Sequence, residues 1–162
     1  MNIILVQMMD TISYLELNKR RKKEMKVSEA IRYSDVIKSI VDKAPDVSAL
    51  VKFKLLGMAK QLQPIVDSFE TVRREKIFKY GTSDGNGGAS ILEPKREDFE
   101  NDEDYNKALS NYKEIVTKMS KELEEVLLFD VEVNIKKFKY TEIIDAGLSA
   151  DYLVALYGLI EE

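Results

Sequence analysis

The sequence predicts a mainly α fold with a minor β element, α+β in class. It combines an antiparallel helix hairpin whose second helix is long and kinked, a third long helix, a short strand pair or small sheet, and a C-terminal helix. Three observations predict it. Apolar residues recur with helical spacing through long stretches, the period switches to two around Val131, and glycine and proline gather at the joints. With 162 residues, 44% of them hydrophobic, the chain is long enough to bury the core of one domain.

The first helix is expected from Glu29 to Lys43. Ser28 is suited to cap it, Glu29 lies where the helix dipole favours an acid, and Tyr33, Val36, Ile37, Ile40, Val41 and Ala44 fall on one face. Pro45 closes it, because the residue before a proline is pushed out of the helical region. Asp46 is then the expected cap of the second helix, and so short a turn sets the two helices antiparallel. The second helix carries Val51, Leu55, Met58, Leu62, Ile65, Phe69, Val72 and Lys76 in one stripe that lasts until Gly81. If continuous, it is roughly 50 Å long at a rise of about 1.5 Å per residue. Gly57 and Pro64 lie inside it, and the donor that Pro64 removes predicts a kink near Lys60. Arg73, Arg74 and Lys76, near its exit, are expected to pair with Glu70 or Glu75.

Residues 81–90 contain four of the seven glycines and read as a loop or a small hairpin. Ile91 and Leu92 are expected as a short strand ahead of Pro94. The third helix follows, with Tyr105, Leu109, Tyr112, Val116, Met119, Leu123 and Val126 as its apolar stripe. Val131, Val133 and Ile135 then alternate with polar residues, the pattern of a half-buried strand. A lone strand needs partners, and the candidates are residues 25–27, residues 91–92 and residues 3–6. The last helix is expected to be capped by Ser149 and to carry Leu153, Leu156, Tyr157 and Ile160. The expected organisation is an N-terminal extension over residues 1–24 and a single helical domain over residues 25–162, with its glycine-rich loop at 81–90.

Composition excludes much chemistry. The absence of cysteine removes disulfides, thiolate nucleophiles and cysteine metal sites, and the absence of histidine removes the commonest general base. No apolar run approaches the ~20 residues that cross a bilayer, and the apolar first residues lack a positive leader, so a soluble chain without membrane contact or signal peptide is expected. No catalytic residue, metal ligand or cofactor site is expected, and an enzyme reading survives only as a metal-dependent carboxylate site. The stretch from Asp84 to Ser90 imitates a calcium loop, but Ala89 stands where the loop glycine belongs and Lys95 where the bidentate acid belongs. Its glycines also lack the Gly-Lys-Ser/Thr of a phosphate loop, which leaves a plain turn.

Two charge clusters remain. Glu97, Asp98, Glu100, Asp102, Glu103 and Asp104 are explained locally as a solvated helix start, and they are also the candidate face for a basic partner. Lys19, Arg20, Arg21, Lys22 and Lys23 form a basic run with three readings. It is a nucleic-acid arm, a solvated charge run, or translated ribosome-binding sequence ahead of a start at Met25, since lysine, glutamate and many arginine codons are purine. A net charge of −4 argues against nucleic acid, so the run reads better as a boundary than as a binding motif.

Several segments together carry a resemblance: Met25-Lys-Val-Ser-Glu-Ala, Leu56-Gly-Met-Ala-Lys-Gln-Leu-Gln-Pro-Ile-Val-Asp-Ser-Phe-Glu70, Tyr80-Gly81, Glu132-Val-Asn-Ile135 and the acidic ending from Leu148 to Glu162. Over about residues 25–162 the chain resembles a family of small proteins of unknown function found in tailed bacteriophages and prophages. The resemblance implies a phage origin, a place in the host cytoplasm during infection or in the virion, and a role in head or tail morphogenesis. It brings no catalytic residue and no cofactor. The expected function is that of a non-enzymatic accessory protein acting through protein–protein contacts, as a minor virion component or an assembly factor. The alternative is a small acidic inhibitor or regulator of a host protein, for example one of anti-phage defence. Sequence alone sets no oligomeric state.

Overall fold

A computed structural model describes residues 23–161. In chain order the elements are β1 (Lys23–Lys26), α1 (Val27–Lys43), α2 (Ala49–Tyr80), β2 (Thr82–Ser83), β3 (Ala89–Ser90), a 3-10 turn (Arg96–Asp98) and α3 (Asp102–Leu127). They continue with β4 (Asp130–Val133), β5 (Phe138–Lys139), α4 (Tyr140–Ile143), α5 (Ala150–Ala155), a second 3-10 turn (Tyr157–Leu159) and β6 (Ile160–Glu161). The fold is mainly α with minor strand pairs: β1 with β4 and β2 with β3 are antiparallel, β5 with β6 parallel. Among the described residues no helix is long and apolar enough to cross a membrane.

The chain divides into two compact units. One takes the described residues up to Val66 together with those from Asp130 onward; the other is Asp67–Phe129.

In the first unit, Lys23 pairs with Val133 and Lys26 with Asp130, so the partner expected at residues 25–27 is the right one. The pairing begins two residues earlier than that, and the boundary expected at 24/25 falls inside β1. The proposed partner at residues 3–6 and the rest of the basic run, Lys19 to Lys22, lie outside the described residues. Helix α1 starts at Val27 directly after the strand, with Lys26 as its N-cap. This corrects the Ser28 cap: the Glu29 carboxylate reaches back to accept the Lys26 N–H at 3.0 Å, which leaves Ser28 within the first turn. The same junction recurs where β5 runs into α4, since Glu142 accepts the Lys139 N–H at 3.0 Å. An acid three residues into a helix thus satisfies a backbone donor at the strand-to-helix corner in both places.

The cap of α2 is Ser48, not Asp46. Its Oγ accepts the Val51 N–H at 3.3 Å, while Val47 beside it is buried. Helix α2 runs unbroken through Pro64, one long helix rather than two. Val51, Leu55, Met58 and Leu62 enter a core with Tyr33, Ile37 and Ile40 of α1 and with Val133, Phe138, Ile143, Leu156 and Leu159. Full burial of each such side chain contributes about 1.5–3 kcal/mol of transfer free energy.

The terminal helix is shorter than expected. It ends at Ala155, and Tyr157 and Ile160, expected on it, stand in the 3-10 turn and in β6. A Cβ at Gly158 would collide with the Tyr33 hydroxyl, so the chain passes tightly over α1 there before pairing Ile160 with Phe138.

In the second unit every apolar residue of the α3 stripe is half-buried and none is fully buried. Every buried apolar residue of the described chain belongs to the first unit.

Candidate functional site

The second unit contains an open groove of about 830 Å³. One wall is the stretch of residues 91–95; the other is α3, through Ala108, Asn111, Tyr112 and Ile115. Tyr80 and Gly81 close the end at the α2 exit. Gly81 permits that closure: a Cβ there would stand 2.6 Å from the carbonyl oxygens of both Ile77 and Ser90. Phe99 lines the groove and leans on Tyr105, ring centroids 5.9 Å apart.

Ile91 and Leu92, expected as a strand, belong to no ladder; the strand pair is Thr82–Ser83 with Ala89–Ser90. The turn between these strands accounts for the pairing. Gly85 and Gly87 have φ of +76° and +85°, where a side chain is strained, and the Asp84 Oδ1 accepts the Asn86 and Gly88 amides at 2.8 and 2.9 Å. Those two amides, Asn86 first, hold the Asp84 carboxyl below its ordinary value. The hairpin therefore closes before residue 91, and residues 91–94 run on with no backbone hydrogen bond among the described residues.

Behind the groove, Tyr80 donates its hydroxyl to Glu122 of α3 at 2.6 Å. Lys76 Nζ lies 2.5 Å from the other Glu122 oxygen, which has almost no solvent-accessible surface, and Lys79 Nζ lies 3.6 Å from the first. The Lys76 ammonium first, then the Tyr80 hydroxyl, hold the Glu122 carboxyl at about 2, down from an ordinary 4.5. Lys79 also stands 4.7 Å from the Tyr80 ring centroid. Its pKa is raised, by Tyr80 foremost and then by Glu122. A carboxylate held this low is a weak base, so the cluster serves to clamp the α2 exit to α3. Lys76 thus pairs across helices rather than with Glu70 or Glu75, whereas Arg73 does pair with Glu70, at 2.9 Å.

Of the acidic residues, Glu97 and Asp98 lie in the first 3-10 turn, Glu100 ahead of the α3 cap and Asp102, Glu103 and Asp104 in the first turn of α3; all are exposed. Asn101 caps the helix by accepting the Asp104 N–H at 2.8 Å, and Arg96 binds Asp102 at 2.6 Å and the Phe99 carbonyl at 2.6 Å. Lys95 approaches Glu97 at 3.8 Å. The carboxylates of Asp98, Glu100 and Glu103 have no partner among the described residues. Asp98 lies in the groove lining, so one member of the candidate acidic face belongs to the groove. Among the described residues no three acidic side chains cluster as a metal site.

The sequence placed Tyr112 in the apolar stripe of α3 without showing that it borders a groove, and marked Tyr80 only as the residue before Gly81. It missed the clamp altogether, because Lys76, Tyr80 and Glu122 have no linear signature across two helices. The Lys-x-Ser/Thr-Glu corners at Lys26 and Lys139 were the one readable signal passed over. Comparison with protein-family models, with curated proteins and with solved structures finds no match to this chain.

Proposed function

We propose that the protein acts without chemistry of its own, through protein–protein contacts, as a bacteriophage accessory protein that is a minor virion component or a head or tail assembly factor. The supporting observation is the second unit itself: an aromatic-lined groove of about 830 Å³ beside a helix whose apolar stripe is only half-covered. Surfaces of this kind mark binding sites more often than plain solvated faces. The phage setting rests on the sequence resemblance. Mass spectrometry of purified virions and their assembly intermediates, beside infected lysate, tests the reading. The protein is expected to copurify with one of them, and its absence from both overturns the assignment.

The carboxylates of Asp98, Glu100 and Glu103, unpartnered among the described residues, favour a second reading, an acidic inhibitor of a basic host protein. Pull-down from host lysate with residues 97–104 neutralised tests it, and unchanged partner recovery sinks it.

A further inference from the structure

We propose that the groove of the second unit takes an extended, basic peptide segment of a partner protein, added as a strand alongside residues 91–94. The inference rests on the contact reading above and names the chemistry of the partner.

Backbone comes first. Residues 91–94 belong to no helix, turn or ladder, follow directly from β3 and make no backbone hydrogen bond among the described residues, and the proline at 94 holds Glu93 to extended backbone. Unpaired donors and acceptors along an extended stretch are the template for strand addition, in which main-chain bonds give affinity and alternate side chains give specificity. Pro94 has no N–H, so the ladder is short and ends there. Leu92, 78% exposed, already presents apolar surface at this edge.

Side chains come second. In an incoming strand every second residue points to the same face. One set therefore meets the apolar lining, which includes Phe99 and, on the α3 wall, Tyr112 and Ile115, and about 830 Å³ accommodates a few aliphatic side chains. The other set faces a rim with surplus negative charge. Of the nearby cations, Lys95 is engaged by Glu97 and Arg96 by Asp102. Glu93 and Asp98, both in the lining, have no partner among the described residues. A segment alternating basic and aliphatic residues matches both sets.

The test is fluorescence anisotropy on the full-length protein. The probe is a labelled synthetic peptide alternating lysine and valine, beside the same peptide with glutamate for lysine. Two further versions are N-methylated on one or the other alternate set of amides. The lysine peptide is expected to bind, and the glutamate version to bind about tenfold more weakly. One N-methylated version, and not the other, is expected to lose about tenfold, because only one set of amides meets the protein. Ala108→Trp, which fills the groove, is expected to abolish binding with circular dichroism unchanged, and the surface change Glu93→Lys to weaken it severalfold. Equal loss or no loss for both N-methylated versions overturns the proposal. So does equal binding of the lysine and glutamate peptides, or unaltered binding by Glu93→Lys. Failure here with the protein still found in virions removes the groove assignment alone; peptide binding by a protein absent from virions and intermediates removes the phage-assembly reading alone.

Discussion

Lys76, Lys79 and Tyr80 converge on the single carboxylate of Glu122, and that convergence makes its protonation matter to stability. Folding lowers the pKa, so the stabilisation is complete above the ordinary 4.5 and is lost as pH falls toward about 2. Glu122→Gln is expected to lower the melting temperature at neutral pH and to flatten its fall between those values. Asp84, Glu114 and Glu142, whose carboxyls are also held low, keep part of that slope in the variant. A variant whose acid profile overlays the parent's would show that the clamp carries no weight. Two glycines give a second contrast. Gly147 has φ of +80° and a Cβ there would collide with the Asp46 carbonyl, whereas Gly57 is helical with open space around it. Urea unfolding should show Gly147→Ala destabilised by more than about 1 kcal/mol and Gly57→Ala stabilised by about 0.4–1 kcal/mol.

At the scale of elements, the helices begin where backbone donors find acceptors, and residue type alone did not say which acceptor wins. Ser48→Ala is expected to cost about 1 kcal/mol in chemical denaturation, with Asp46→Ala nearly neutral; the reverse order would restore the cap read from the sequence. Helical periodicity was legible because α1 and α2 bury a stripe and α3 half-buries one, and the β4 pattern because one face of that strand is covered. What escaped were features made by chain segments distant in sequence. The β5–β6 pair joins Phe138 to Ile160, and Gly158 must clear Tyr33, which shortens the terminal helix in a way no local propensity reveals. The groove was illegible for the same reason, since its walls are the stretch after β3 and the middle of α3.

Across the whole molecule, the division of burial between the two units predicts a division of dynamics. Local opening is governed by how much apolar contact must be broken. Hydrogen exchange should therefore be slower in α1 and in residues 49–62 of α2 than in α3, and equal protection would contradict the burial pattern. The first unit also pairs β1 with β4 and gathers Ile37 and Leu55 with Phe138, Leu156 and Leu159, from opposite sides of the other unit in the sequence. During synthesis, then, the N-terminal half of this core must wait with its apolar face unsatisfied until the segment from Asp130 to Leu159 has emerged. A nascent chain stalled before residue 130 is expected to be a chaperone client and protease-sensitive, while emergence of the segment through Leu159 permits closure.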